Sequence, residues 1–471
     1  MKIETSNAVF LSVLWLASCA VGPDYKRPDV ETPSAYKEAE GWKQANPRDE
    51  ARIGNWWELY CDAQLNELVQ QVTVSNQNVR AAQAQYRQAA ALLDATQAQY
   101  FPTVSTGVSG SRGQGAASPS STSTVTPGTP IRNTVRVSLN ASWEADVWGR
   151  IRRDVEANEA LTQVSAADLR AALLSAQATL VQSYLQLRVL DAQRRMLDEI
   201  VVAYERSLQI TKNRYEAGVT GRVDVVQAES QLKSTQAQAI DLGVQRAQFE
   251  HMIAMLIGKT PANFHLEPNG LVPALPVIPL SLPSQLLERR PDIAAAERNM
   301  AAANAQIGVA QAAYFPDLTI SGAGGYQRSS FSQLLTLPNR FWSLGPALAL
   351  TLFDAGARSA QKAQAVAGYD KNVARYRQTV LGAFQEVEDN LAALRILANE
   401  AEPQKTAALA AAEALMLTNN QYLAGTVSYL NVVTTQATAL AATRSELDIT
   451  GRRLVASAAL FKALGGDWHA H

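Results

Sequence analysis

The stretch VRVSLNASWEAD, residues 135–146, alternates apolar and polar side chains without a fault. Val135, Val137, Leu139, Ala141, Trp143 and Ala145 fall on one side, and Arg136, Ser138, Asn140, Ser142, Glu144 and Asp146 on the other. A period of two belongs to a β-strand whose two faces meet different surroundings. About 9–11 residues with one apolar face is the length that crosses a membrane as part of a barrel. The polar face carries Arg, Glu and Asp, which suits a water-filled lumen better than a packed core. A soluble two-sheet domain is the alternative.

Three other segments extend the pattern. In 342–352, Trp342, Leu344, Pro346, Leu348, Leu350 and Leu352 alternate with Ser343, Gly345, Ala347, Ala349 and Thr351. Pro346 is an objection, because proline removes a ladder donor. Weaker partners precede each strand: 103–110, and 318–326 with Leu318, Ile320 and Tyr326 on one face. A membrane sheet must close, since lipid cannot satisfy free backbone groups. Bacterial barrels begin at about eight strands. Four strands per chain therefore require several copies.

The chain repeats one plan. Tyr100-Phe101-Pro102 returns as Tyr314-Phe315-Pro316, and Arg214-Tyr215-Glu216-Ala217-Gly218 as Gln421-Tyr422-Leu423-Ala424-Gly425. Val223-Asp224-Val225-Val226 matches Leu430-Asn431-Val432-Val433. The spacing, near 200 residues, points to gene duplication and not to a solenoid. Long helical hairpins are expected over 151–257 and 357–464, with breaks at Gly243 and Pro403. Helix 151–215 alone would reach about 95 Å. Gly218, Gly221 and Gly425 supply the reversals at the tips. The Gly/Ser/Thr/Pro-rich stretch 109–133 reads as a loop, either extracellular or constricting the lumen.

Composition excludes other classes. The 471 residues carry 42 Lys+Arg against 43 Asp+Glu, so no basic surface for nucleic acid is indicated. Four His and two Cys show no metal-ligand spacing, and no cofactor motif is present. The apolar run Ala8–Ala17 is too short to span a bilayer as a helix. It suits a secretory signal over 1–18, and Leu16-Ala17-Ser18-Cys19 resembles a lipobox. Acyl chains on Cys19 would hold the chain to a membrane. Cys61 then has no intramolecular partner and is expected to be buried.

Together these residues resemble the TolC-like outer-membrane factors, in the lipoprotein branch called the NodT family. The markers are Cys19-Ala20-Val21-Gly22-Pro23-Asp24-Tyr25-Lys26-Arg27-Pro28, Trp56-Trp57 with Asp62 and Leu65, Arg289-Arg290-Pro291-Asp292-Ile293, the two Tyr-Phe-Pro turns and the two Tyr-x-Ala-Gly tips. The resemblance implies a mainly α protein with transmembrane β: duplicated long helical hairpins form a trimeric periplasmic α-barrel joined to a 12-stranded outer-membrane β-barrel. It divides the chain into a lipoprotein signal 1–18, a first half 19–258, a linker 259–284 in an equatorial domain and a second half 285–471. It also implies a homotrimer without catalysis, held in the lipid membrane. A periplasmic adaptor docked at Gly218, Val219, Thr220, Gly425, Thr426 and Val427 would connect it to an inner-membrane transporter of the resistance-nodulation-division type.

In that family, closure at the tips is associated with a tyrosine, an arginine and acidic residues. Tyr422 matches the tyrosine and Asp224 one aspartate; Val427 holds the arginine position, and Asn431 and Thr434 the acidic ones. A gate of Tyr422 packing and neutral hydrogen bonds, with Asp224, Asn431 and Tyr215 beside it, is therefore expected in place of an ion-pair latch. Packing of the hairpin ends by Tyr215 and Tyr422 is the plainer alternative. A periplasmic adaptor-type lipoprotein and a stand-alone trimeric porin remain rival functions; an enzyme is the weakest.

Overall fold

The computed structural model of the chain describes residues 20–29, 32–33, 36–38, 55–114, 131–276 and 289–466. The signal segment, Cys19, the centre of the 109–133 stretch and linker residues 277–284 lie outside them. The elements run α1 (Ala63–Ser75), α2 (Gln77–Gln97), β1 (Thr103–Gln114), β2 (Ile131–Ala145), α3 (Arg150–Glu216), α4 (Arg222–Leu256), α5 (Pro291–Ala312), β3 (Asp317–Arg328), β4 (Arg340–Ala349), α6 (Ala357–Leu423) and α7 (Tyr429–Ala463).

The duplication is visible in the element lengths. Helices α3 and α6 each have 67 residues, and α4 and α7 each have 35. Strands β1 and β3 each have 12 residues. Both long helices begin on an aspartate. Asp146 accepts hydrogen bonds from the N–H groups of Ile151 and Arg152 at 3.0 and 2.8 Å. Asp354 accepts from Gly356 and Arg358 at 3.0 and 3.2 Å. A carboxylate there satisfies orphan donors and complements the helix dipole. These bonds, led by that from the Arg358 guanidinium, hold the Asp354 carboxyl below the usual carboxylate range.

Two compact units divide the chain. The first comprises 1–28, 87–164 and 297–374. Its sheet has the order β1-β2-β3-β4, antiparallel throughout. Residues 20–28 run as an extended segment against the start of α3. The Val21 N–H donates to the Trp148 carbonyl at 3.1 Å. The Arg153 guanidinium, nearly buried, donates to the Gly22 carbonyl and pairs with Asp24 at 2.8 Å. Gly22 adopts φ +113°, and a Cβ there would come within 2.5 Å of the Gly308 Cα. Only glycine fits this crossing.

The second unit comprises 29–86, 165–296 and 375–471. Its largest core gathers Trp56, Trp57 and Tyr60, the α1 residues Leu65, Leu68, Val69 and Val72, and apolar positions of α3, α4, α6 and α7. A buried charge network lies beside it. Asp191 takes ion pairs from Arg188 at 3.0 Å and Arg246 at 2.7 Å, and Arg246 also reaches Glu250 at 3.0 Å. These groups bind the segment after α4: the Leu266 N–H donates to Glu250 and the Asn269 N–H to Asp191.

Several expectations need correction. Neither Gly243 nor Pro403 interrupts its helix. A glycine inside a helix costs only about 1 kcal/mol. Proline costs about 3 kcal/mol or more, but the turns beside Pro403 are tied down. Leu397 and Ala408 are buried, and Gln404 Nε2 donates to the Ala442 carbonyl of α7 at 2.9 Å. The 109–133 stretch is strand at both ends, because β1 runs to Gln114 and β2 starts at Ile131. Strand β4 stops at Ala349, short of Leu350 and Leu352. Gly221 has φ −83°, so the tips use only two left-handed glycines. Cys61 is exposed, not buried. It closes the Trp56–Tyr60 turn at φ 54°, and Trp56, Trp57 and Tyr60 fill the core.

Candidate functional site

The sheet register assigns every strand residue to a face. Val104, Thr106 and Val108 of β1 pair with Ala141, Leu139 and Val137 of β2. The same row continues through Gly322, Gly324 and Tyr326 of β3 to Leu344, Trp342 and Arg340 of β4. Ile320 faces Trp143 on one side and Pro346 on the other, and Leu318 faces Ala145 and Leu348. One face is therefore apolar across all four strands, as the alternation required. It is also open: Val108, Leu139, Trp342, Leu344 and Leu348 are 57–76% exposed. Leaving such side chains in water forgoes roughly 1.5–3 kcal/mol each. Among the described residues, no helix is long and apolar enough to cross a membrane. The exposed apolar sheet face has the strand length and alternation of a barrel wall that faces lipid.

The opposite face holds Ser105, Arg136, Ser138, Asn140, Ser142 and Glu144, with Thr319, Ser321, Gln327 and Ser343. The Arg136 guanidinium lies 4.2 Å from the Phe341 ring centroid on this face. Strands β1 and β4 are the two edges. Pro346 sits on edge strand β4, where a missing donor is tolerated.

The helical tips repeat one cap. The Gly218 N–H donates to the Tyr215 carbonyl and the Val219 N–H to Arg214, at 2.9 and 2.8 Å. In the second half, Gly425 donates to Tyr422 and Thr426 to Gln421, both at 3.0 Å. Gly218 at φ +71° and Gly425 at φ +76° take the left-handed position of this cap. Val219, Thr426 and the two glycines are exposed, with Thr220 and Val427 half-buried.

Of the expected gate residues, Tyr422 alone is buried, in a cluster with Tyr204, Leu208, Ala228, Leu232, Tyr429 and Val432. Its ring meets Tyr429 edge-on, with centroids 5.2 Å apart. The Arg214 guanidinium lies 4.9 Å from the Tyr422 centroid and donates to the Leu423 carbonyl at 3.0 Å. This joins the end of α3 to the end of α6. The Tyr422 hydroxyl, though buried, has no hydrogen-bond partner among the described residues. The Tyr429 hydroxyl and Ser207 Oγ are 3.2 Å apart. Burial raises the pKa of Tyr429 and of Tyr204 above that of a free phenol; for Tyr429 the Ser207 hydrogen bond works against it.

The remaining expected residues do not converge on Tyr422. Asp224 accepts a hydrogen bond from Thr220 in its own turn. Asn431 is exposed, and Tyr215 is 44% exposed. Sequence reasoning missed Arg214 and Tyr429 as site residues. Arg214 opens the repeated motif Arg214–Gly218, and Tyr429 opens α7 just past the tip, but neither position says what the side chain touches.

Comparison with known proteins follows the same outline. The profile of the outer membrane efflux protein family matches residues 68–259 and 282–466. The cation efflux system protein CusC of Escherichia coli is 27% identical over 462 residues, 98% of each chain. The "Probable outer membrane lipoprotein SilC" of Salmonella typhimurium is 26% identical over 99% of each. Among solved structures, the outer-membrane channel OprN superposes with a TM-score of 0.89 at 31% identity, over 95% of this chain and 99% of its own.

Proposed function

The chain belongs to the outer membrane efflux protein family, and from that membership we propose that three copies form one passive exit duct, gated at the helical tips. It is an outer-membrane component of an efflux system. Its relatives are channel and efflux proteins, not enzymes.

One observation carries the proposal: the four-stranded sheet has an apolar outer face, a polar inner face and two unpaired edges. In lipid those edges must be paired. Edge β1 of one copy meets edge β4 of the next, and three copies close a twelve-stranded barrel around Arg136, Asn140 and their neighbours. Strands β2 and β4 are followed in the chain by α3 and α6, which line the periplasmic part of the duct. Acylation of Cys19 anchors each copy, and the extended segment Ala20–Pro28 ties that anchor to the start of α3. Linker residues 259–284 belong to the equatorial belt.

The tips Gly218–Thr220 and Gly425–Val427 dock a periplasmic adaptor, which brings an inner-membrane transporter of the resistance-nodulation-division type. Closure rests on Tyr422, held by Tyr429 and Arg214; Asp224, Asn431 and Tyr215 border the site. The duct itself supplies no energy, so gating must come from adaptor contact. A photocrosslinking residue at Val219 or Thr426 in living cells tests the docking. Adducts with a periplasmic hairpin protein are expected from both tips and not from Phe331 beyond the far end of the sheet. Absence of tip adducts in a correctly inserted channel would overturn it.

A further inference from the structure

The two β-hairpins carry a charge bias that the duct does not require. Apart from Glu144 and Asp317 at the helix end of the sheet, the hairpins Thr103–Ala145 and Asp317–Phe353 contain five arginines (Arg112, Arg132, Arg136, Arg328 and Arg340) and no other Asp, Glu or Lys. The chain as a whole is balanced, with a net charge of −1.

The register divides these arginines. Arg136 lies on the polar face, over Phe341. Arg112 faces Asn133, Arg328 faces Val135 and Arg340 faces Tyr326, all in the row that continues the apolar face. Arg340 stands two residues beyond Trp342 on β4, and Arg328 two beyond Tyr326 on β3. Tyrosine and tryptophan at this place mark a membrane–water interface. The end concerned is the one away from the helices, which leave the sheet at Thr103, Ala145, Asp317 and Ala349. Arg112 and Arg340 are exposed and have no ion-pair partner among the described residues. The Arg328 guanidinium donates to the Ser332 carbonyl and Gln333 Oε1, which fixes it at the rim.

We propose that Arg112, Arg328 and Arg340 form a phosphate-binding row on the membrane-facing rim, and that its ligand is the phosphorylated glycolipid headgroup of the outer leaflet. A guanidinium on the lipid side is costly unless it meets an anionic headgroup, and its planar fork suits phosphate oxygens. Arg328 and Arg340 are diagonal neighbours on adjacent strands, a separation of roughly 7–8 Å, so one doubly charged headgroup can engage both. The row rests on the reading of this sheet as part of a closed barrel. Edge-to-edge closure sets Arg340 of one copy beside β1 of the next, which carries Arg112, and so continues the row around the barrel. The absence of carboxylates from this end of the hairpins follows, since an acidic neighbour would compete for the guanidinium and repel the phosphate.

Native mass spectrometry of the full-length oligomer with added lipid tests this. The lipids are bisphosphorylated lipid A, the same lipid dephosphorylated, and phosphatidylethanolamine; inorganic phosphate is a separate competitor. Lipid A is expected to be retained over both other lipids. Each guanidinium near an anionic headgroup contributes a factor of about five. The double variant Arg112→Gln/Arg340→Gln should therefore lose about thirtyfold, and Arg112→Lys/Arg340→Lys should keep most of the binding. Millimolar inorganic phosphate should compete only weakly, because it lacks the acyl chains. Arg136→Gln, on the other face, should leave retention unchanged. Equal retention of the dephosphorylated lipid, an unaffected double glutamine variant or an equal loss in Arg136→Gln would overturn the site. A protein that fails to form its heat-modifiable oligomer would instead overturn the barrel reading on which it rests.

Discussion

Replacing Tyr422 by alanine tests the tip most sharply, because the wild-type side chain is only 6% exposed and its contacts are few and separable. Large-to-small replacement of a buried aromatic costs about 3–5 kcal/mol. The edge-on pair with Tyr429 accounts for about 0.5–1.5 kcal/mol of this, and the Arg214 contact for about 0.5–1 kcal/mol at a partly exposed site. Among the described residues the hydroxyl has no hydrogen-bond partner, so the ring and not the hydroxyl carries these contacts. Tyr422→Phe should therefore be neutral, or up to about 1 kcal/mol more stable for losing an unsatisfied polar atom. If these contacts exist only in closed tips, a loss of about 3 kcal/mol per copy moves the opening equilibrium by about 150-fold. Single-channel conductance in planar bilayers reads this directly. Tyr422→Ala should raise conductance and open probability, while Tyr422→Phe matches wild type. Unchanged conductance in the alanine variant would remove Tyr422 from the gate. Opening by phenylalanine as large as by alanine would show that the hydroxyl, not the packing, holds the tip.

Three further outcomes follow from other parts of the molecule. Gly22→Ala places a Cβ 2.5 Å from the Gly308 Cα at φ +113°; strain of about 1–3 kcal/mol should free the Ala20–Pro28 segment, read as faster proteolysis there with the oligomer intact. Asp191→Ala strips the shared carboxylate from Arg188 and Arg246 and should destabilise the second unit by about 3–5 kcal/mol, seen in thermal unfolding. Tyr429 and Tyr204 have phenol pKa values raised by burial, so their stabilising contribution is complete below about pH 10 and is lost as pH rises through the raised values. Hydrogen exchange at the tip should accelerate above pH 10, and less so in Tyr429→Phe; an identical alkaline profile in that variant would contradict the assignment.

The sheet was legible because a period of two sustained over about ten residues arises when the two faces of a strand meet different surroundings, and a helix does not produce it. Val135–Ala145 and Trp342–Leu348 carry apolar side chains at every second position, and the register bears that face assignment out. Strand ends are not legible where glycine and serine replace apolar side chains, so Ser111–Gln114 reads as loop although backbone pairing carries it on as strand. Gly243 and Pro403 are local signals overruled by side-chain packing along helices whose many other residues favour continuity. At the tips, the repeated Tyr-x-Ala-Gly marks the caps and draws attention to Tyr422. Its contacts stay hidden because Arg214 and Tyr422 are brought together only by tertiary structure. The exposure of Cys61 is hidden for a similar reason: the aromatic-rich run Trp56–Tyr60 signals a core but not which residue closes the turn outward.

The central claim is that one chain makes a third of a barrel. Native mass spectrometry of the detergent-extracted, acylated protein measures it most directly. A species of three chains is expected, with β1 of one copy joined to β4 of the next by disulfides between cysteines placed on those two edges. A stable monomer in the outer membrane, or a trimer whose edge cysteines join only within one chain, would contradict it.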